Sequence, residues 1–288
     1  LITGIDSFTG NYLSTYLSGF GYDVYGTSLV GSAEKKYQCD ITKKSDILFV
    51  LETVKPDFLI HLSGISFAAH GKNEDFYKVN TIGTTNILDA ILELGLTPKK
   101  VLLASSATVY GNQGVEVLDE SLCPKPANHY AASKYAMECL AKNYFSKLPI
   151  LIVRPFNYTG RGQAEHFLIP KIVQHFREKK PTIELGNLDV SREFNDVQYI
   201  CEIYKRLLEV KKASEVVNLS SNNAIRLLDV IEMMNNISGY KIEVKVNPSF
   251  VRKDEIKTLR GSTRRLQILI GKVEQQDFKV ILKEMYND

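Results

Sequence analysis

Tyr130 and Lys134 stand four residues apart in the run Tyr130-Ala131-Ala132-Ser133-Lys134-Tyr135-Ala136-Met137-Glu138-Cys139-Leu140, which reads as helical. Side chains at i and i+4 share one helix face, one turn apart. A phenol titrates near about 10 in water and is a weak acid or base at neutral pH. A neighbouring ammonium favours the phenolate, lowers that pKa and makes the tyrosine a usable proton donor and acceptor. The same pair suits an ordinary amphipathic surface helix, so its chemistry depends on what the rest of the chain places around it.

A second spacing points to a bound phosphate. Gly4, Ser7 and Gly10 recur at i, i+3 and i+6, after Leu1-Ile2-Thr3 and before Leu13, Tyr16, Leu17 and Phe20 at helical intervals. A strand that feeds a helix through small residues lets backbone N–H groups and the helix N-terminus meet a pyrophosphate. Ser7 occupies the position usually held by the middle glycine. In NAD-binding folds an acidic residue ends the second strand and takes the ribose hydroxyls. Ser28, then Leu29 and Val30, hold that place here. A 2′-phosphate is tolerated by that arrangement, with Lys35 or Lys36 within approach, so NADP(H) is favoured and NAD(H) is the alternative.

The elements that must position these groups follow an α/β rhythm. Strands are predicted at 1–3, 23–28, 37–41, 57–62, 101–105 and 150–153, the last two continuously apolar runs and each preceded by helical periodicity. This order predicts a Rossmann fold, a doubly wound parallel sheet, with a smaller mixed α/β C-terminal substrate domain. The dinucleotide-binding domain is expected over 1–156, with 191–220 returning to it through a helix near 197–208 and a strand at 215–219. A smaller cap domain is expected over 157–190 and 221–288.

Composition narrows the partners. The chain has 288 residues, 44% hydrophobic and 24% charged, with a net charge of +3. That is ample core material and too weak a positive balance to argue for nucleic acid or a membrane surface. Cys39, Cys123, Cys139 and Cys201 are scattered, without a CxxC or a histidine at metal-ligand spacing. They read as reduced thiols of a cytoplasmic protein with no metal site. The opening Leu1-Ile2-Thr3-Gly4 looks like a strand end, which suggests that a few preceding residues belong to the protein.

Further motifs then fall in order. Gly4-Ile5-Asp6-Ser7-Phe8-Thr9-Gly10 resembles TGxxGFxG, Asp40-Ile41 an acidic-aliphatic pair, and His61-Leu62-Ser63-Gly64 an HLAA strand end. Asn80 sits in a segment like NxxGTxN, and Ser105-Ser106-Ala107-Thr108-Val109-Tyr110-Gly111 resembles SSxxVYG. With Tyr130 and Lys134 as the YxxxK pair, the chain resembles the extended short-chain dehydrogenase/reductases acting on nucleotide sugars, nearly end to end. The resemblance implies cofactor contacts from Gly4, Ser7, Phe8, Gly10, Ser28, Asp40, Ile41, Leu62, Ser63, Gly64, Asn80, Tyr130 and Lys134. It implies that Ser106 polarises the sugar carbonyl or carbinol, with Ser105 and Thr108 as close neighbours. Tyr130 would transfer the proton, and Lys134 would hold the nicotinamide ribose. His61 reads as a structural strand-end histidine.

The second half narrows the resemblance to the 4-keto-6-deoxyhexose nucleotide reductases, of the GDP-4-keto-6-deoxymannose reductase type. Arg154-Pro155-Phe156-Asn157-Tyr158-Thr159-Gly160 resembles RPFNHTG, with Tyr158 for the usual histidine. Gly186-Asn187-Leu188 through Arg192-Glu193-Phe194 resembles GNLxxxRDF. Asn247-Pro248 through Arg252-Lys253-Asp254-Glu255 resembles NPxxxRPxE, with Lys253 for proline. Substrate contacts are thereby implied for Ser66, Thr108, Asn157, Arg192, Arg252 and Glu255. The two guanidinium groups suit a diphosphate because they form paired hydrogen bonds and stay charged.

Three reactions share such a scaffold. A 4,6-dehydratase of this kind carries a carboxylate two places after the catalytic hydroxyl, where this chain has Thr108. A 4-epimerase retains its NAD, and the Ser-Ala-Thr-Val-Tyr-Gly stretch resembles one. A 4-reductase consumes NAD(P)H, and the second-half motifs with the missing second-strand acid favour it, in the service of surface polysaccharide synthesis. A non-catalytic dinucleotide sensor typically lacks the Tyr or Lys. A homodimer is expected, paired through the helix carrying Tyr135, Leu140, Tyr144 and Phe145.

Overall fold

The computed structural model describes residues 1–66, 72–251 and 257–288. Arg252 and Glu255 lie outside the described residues. In the first half, β1 (Ile2–Thr3), β2 (Gly26–Ser28), β3 (Lys36–Gln38), β4 (Phe58–His61) and β5 (Lys100–Ala104) alternate with helices. These are α1 (Phe8–Gly19), α2 (Lys44–Val54), the short α3 (Asn73–Phe76), a π-helical turn over Tyr77–Gly83, and α4 (Thr84–Glu93). Then come β6 (Val117–Leu118), α5 (His129–Lys142), β7 (Ile150–Pro155), β8 (Tyr158–Thr159), α6 (Leu168–Arg177) and β9 (Thr182–Leu185). The rest comprises β10 (Ser191–Glu193), β11 (Asn195–Asp196), α7 (Val197–Glu209), β12 (Glu215–Leu219), β13 (Ala224–Arg226), α8 (Leu227–Ser238), β14 (Glu243–Val246), β15 (Thr258–Gly261), α9 (Arg264–Ile270) and α10 (Phe278–Tyr286).

Seven strands form a parallel sheet in the order β12-β7-β5-β4-β1-β2-β3, a Rossmann arrangement. Alternation along the strands divides its core into two layers. Ile2, Ile60, Leu102, Leu151, Val153 and Val217 face Leu13 and Leu17 of α1 and Ile200, Ile203 and Leu207 of α7. Leu59, Val101, Leu103, Ile150 and Ile152 face α2, α4 and α5 through Ile47, Leu51, Ile87, Ile91 and Met137. Each of these aliphatics is buried, contributing roughly 1.5–3 kcal/mol of transfer free energy. A separate cluster joins α6, α8, α10 and β9 through Val173, Phe176, Ile183, Met234 and Leu282. A four-stranded sheet, β13-β10-β15-β6, to which the first half contributes β6, and the pairs β11-β8 and β14-β9 lie outside the main sheet.

Several elements are shorter than the sequence pattern predicts. β3 ends at Gln38, and the chain turns at Asp40, whose carboxylate accepts from Thr42 N and Oγ1 at 3.0 and 2.7 Å. α1 stops at Gly19, so Phe20 falls at the C-cap and is 55% exposed. On α5, Tyr135 packs near Tyr110 and Phe156, while Tyr144 and Phe145 beyond its end rest half-buried on the α2–α4 layer. Leu140 stays exposed. Among the described residues no helix is long and apolar enough to cross a membrane.

Candidate active site

The first turn is built around its glycines. Gly4 adopts φ +71°, and a Cβ on Gly10 would lie 2.4 Å from Gly4 O and 2.6 Å from Ile5 O. Only glycine lets this turn fold so tightly, which leaves backbone N–H groups at the start of α1 open to a phosphate. Ser7 caps α1, its Oγ accepting from Gly10 N at 3.1 Å. Phe8 stacks on Tyr158, with ring centroids 6.2 Å apart, and Thr9 Oγ1 lies 2.6 Å from the Tyr158 hydroxyl. The turn therefore fits the pyrophosphate of a dinucleotide, and Tyr158 from the second half buttresses it.

The end of β4 carries the next group. His61 is 1% exposed, with Nδ1 2.7 Å from Thr3 Oγ1 and Nε2 2.9 Å from Thr84 Oγ1. Burial, and secondarily the Lys134 charge, pushes its pKa down to about 3, so it is neutral and wedged between two hydroxyls. Leu62 packs into the α1–α7 layer, and Ser63 lies against Gly4. A Cβ on Gly64 would come 2.8 Å from Asn80 Oδ1 and 3.2 Å from Lys134 Nζ. Asn80 is fully buried and clamps this loop to α5. It accepts from Ile65 N at 2.8 Å and donates to Ile65 O at 3.2 Å and to Ser133 Oγ at 3.1 Å. Ile41, buried beneath the π-helical turn, packs against Gly83.

Ser106 and Tyr130 come together beyond β5, and Lys134 follows one turn along α5. Asn128 caps α5, its Oδ1 accepting from Ala131 N at 2.9 Å, which sets the first turn that carries Tyr130. Ser106 Oγ accepts from Thr108 N and Oγ1 at 3.2 and 2.9 Å and lies at the Tyr130 phenol. Lys134 Nζ donates to Ala104 O at 2.8 Å. Burial lowers its pKa to about 8, and Glu138 opposes that fall. The expected depression of the Tyr130 pKa is absent in this state. Burial raises it above the ordinary phenol value, with the Ser106 hydroxyl pulling the other way, while the Lys134 ammonium donates to the Ala104 carbonyl.

The neighbouring serine has a different environment. Ser105 Oγ donates to Glu138 Oε1 at 2.5 Å, and Arg154 donates to the same carboxylate from Nε at 2.9 Å and Nη2 at 2.6 Å. Arg154 also lies over the Tyr110 ring, 4.6 Å from its centroid. Sequence reading missed Asn128, Ser133, Glu138 and the inward role of Arg154. An asparagine just before the helical run was the available signal for the cap.

The remaining substrate candidates are dispersed. Ser66 and Thr108 are exposed, as is Asn157, whose carbonyl accepts from Asn195 N at 2.9 Å. Ser28 Oγ donates to Val30 O at 3.1 Å. Arg192 lies on β10 of the four-stranded sheet, donating to Ser191 O at 2.8 Å and Lys257 O at 3.4 Å. The structure thus brings Gly4, Ser63, Gly64, Asn80, Ser106, Tyr130 and Lys134 to adjoining strand ends, while Arg192 belongs to another sheet.

Fold and sequence together define an NAD(P)-dependent oxidoreductase of the short-chain dehydrogenase/reductase type. The chain belongs to the family described as GDP-mannose 4,6 dehydratase, whose family model matches residues 1–285. It is 37% identical over 290 residues to GDP-6-deoxy-D-talose 4-dehydrogenase of Aggregatibacter actinomycetemcomitans, covering 100% of this chain and 97% of that one. It is 30% identical over 298 residues to GDP-6-deoxy-D-mannose reductase of Pseudomonas aeruginosa, covering 100% and 95%. The structure of RMD from Pseudomonas aeruginosa complexed with NADPH superimposes with a TM-score of 0.87 at 27% identity, over 99% of this chain and 97% of that one.

Proposed function

We propose that the protein reduces the C4 keto group of a GDP-linked 4-keto-6-deoxyhexose to the carbinol, using NAD(P)H. The observation that carries this reading is the placement of Ser106 at the Tyr130 phenol beyond β5, with Lys134 one turn further along α5 and hydrogen-bonded to Ala104 O at 2.8 Å. The named relatives act on GDP-linked 6-deoxytalose and 6-deoxymannose. Those two sugars differ only in configuration at C4, so both names point to redox chemistry at that carbon. Thr108 supports reduction over dehydration: it supplies a hydroxyl, donated to Ser106 at 2.9 Å, where elimination would need an acid.

In this reading the Gly4–Gly10 turn would hold the dinucleotide, which would supply the hydride for C4 when bound. Ser106 donates a hydrogen bond to the keto oxygen, and Thr108 orients the Ser106 hydroxyl. Tyr130 gives its phenolic proton to the same oxygen as negative charge develops there. Lys134, within reach of Gly64 and Ala104, binds ribose hydroxyls and stabilises the phenolate left behind. Asn80 and Asn128 keep the β4 loop and the start of α5 in register.

The test is absorbance at 340 nm with NADPH or NADH and a freshly prepared GDP-4-keto-6-deoxyhexose. Stoichiometric loss of reduced cofactor, absent in Tyr130→Phe, is the expected result. Conversion between C4 epimers with no net cofactor consumed would replace this reading with a 4-epimerase.

A further inference from the structure

The residue that ends β2 is Ser28, and Leu29 and Val30, not a carboxylate, follow it directly. The folded turn nevertheless offers one beside that strand end. Asp6 lies two residues after Gly4, in a turn tied to β2 by the Ile5 N to Thr27 O hydrogen bond of 3.0 Å. Lys36 Nζ, reaching over from β3, is 3.3 Å from both Asp6 carboxylate oxygens. The Asp6 side chain remains 50% exposed, so it retains lone pairs for a further donor. Proximity to Ser28 foremost, joined by Lys36 and opposed by desolvation, holds its carboxyl below the usual carboxylate range.

The basic groups of this half are equally informative. The chain contains no arginine before Arg154, and Arg154 is buried against Glu138. No guanidinium fork from the strands that bind the adenosine is therefore at hand for a 2′-phosphate. Lys35 pairs with Asp23 at 2.7 Å, and its ammonium also lies over the Tyr25 ring. Lys36 remains, and turning it to a phosphate would strip Asp6 of its counter-ion beside a group of like charge.

We propose that Asp6 selects the dinucleotide, accepting a hydrogen bond from the adenosine ribose 2′-hydroxyl of NAD(H) and disfavouring a 2′-phosphate, with Lys36 as its counter-ion. The assignment rests on the oxidoreductase reading. It places on the glycine turn of β1 a role that dinucleotide folds commonly give to the end of the second strand.

Isothermal titration of the full chain with NADH and with NADPH, without sugar, tests it. The wild type binds NADH more tightly by about tenfold, on the scale of one charge-assisted hydrogen bond. Asp6→Asn closes most of that gap by improving NADPH, and Lys36→Ala leaves NADH ahead. Asp6 is exposed, so Asp6→Ala serves as a second variant that folds, checked by thermal melting. Tighter NADPH binding in the wild type, abolished by Lys36→Ala and indifferent to Asp6→Asn, would assign the selection to Lys36 and overturn the proposal. Binding of neither dinucleotide would overturn the oxidoreductase reading as well, which keeps the two failures apart.

Discussion

Glu138 receives both the Nε and Nη2 protons of Arg154, at 2.9 and 2.6 Å, one helical turn beyond Lys134 on α5. Both residues are almost fully buried, and the same carboxylate takes the Ser105 hydroxyl. The pair thereby ties α5 to the ends of β5 and β7, the strands flanking the candidate acid–base group. Its charge also opposes the desolvation that weakens the Lys134 ammonium. Arg154 Nη1 has no hydrogen-bond partner among the described residues, so the guanidinium depends heavily on this one carboxylate.

Glu138→Gln should therefore cost about 3–5 kcal/mol of stability, the usual penalty for stripping one partner from a buried ion pair. Urea denaturation reads the loss. A Glu138→Met, Arg154→Met double variant should recover much of it, because neither charge is then buried. Equal destabilisation in the single and double variants would mean that packing, not charge compensation, dominates there.

The two adjacent serines should separate cleanly. Ser106→Ala is expected to lower kcat by on the order of 10²–10³ and to cost only about 1 kcal/mol of stability, the usual loss of a capping hydroxyl. Ser105→Ala should mainly destabilise the fold, by about 1–3 kcal/mol, because a buried carboxylate loses a donor. Tyr130→Phe should cut kcat/KM by roughly 10²–10⁴ with NAD(P)H binding retained. Steady-state kinetics with thermal melts of the three variants would expose an exchange of the serine roles.

His61 should make the protein acid-sensitive. Its pKa is about 3 when folded and about 6.5 when free, because burial foremost, and then Lys134, disfavour the imidazolium. Between these values the unfolded chain binds a proton that the folded chain refuses. Stability is thus fully present above pH 6.5 and falls as pH drops toward 3. His61→Gln should be less stable at pH 7 yet lose less between pH 6.5 and 4.5. Urea midpoints across that window decide, and an unchanged slope would assign the sensitivity to other groups.

Two glycines of α1 should respond oppositely to alanine. At Gly10 the new Cβ would meet Gly4 O at 2.4 Å, and backbone must move. Gly10→Ala should weaken NAD(P)H binding by on the order of tenfold and destabilise the fold by about 1–3 kcal/mol. At Gly19 the Cβ meets nothing within 4 Å, so Gly19→Ala should stabilise by about 0.4–1 kcal/mol. Calorimetric melting and cofactor titration measure both.

Much of this architecture was legible from local pattern. The apolar runs at 57–62, 101–105 and 150–153 are buried strands because both faces of a parallel sheet are covered. The four-residue spacing of Tyr130 and Lys134 brought both into one cluster because helical periodicity is a local property of the backbone. The Gly4–Gly10 turn was equally local: its spacing encodes the close backbone approach. Partners between distant elements were not legible. Strand parity turns Ser105 toward α5 and Glu138, yet only the crossover from β5 through α5 to β7 brings Arg154 to the same carboxylate. Sequence chemistry suggested that Lys134 would depress the Tyr130 pKa, but burial of the phenol in the fold raises it instead. Asp6 shows the same division. Its identity is plain in the chain, but its place beside Ser28 and Lys36 exists only after β1, β2 and β3 pair. Periodicity settles which face a side chain takes, whereas charge partners depend on strand order, a long-range property that no window of the sequence contains.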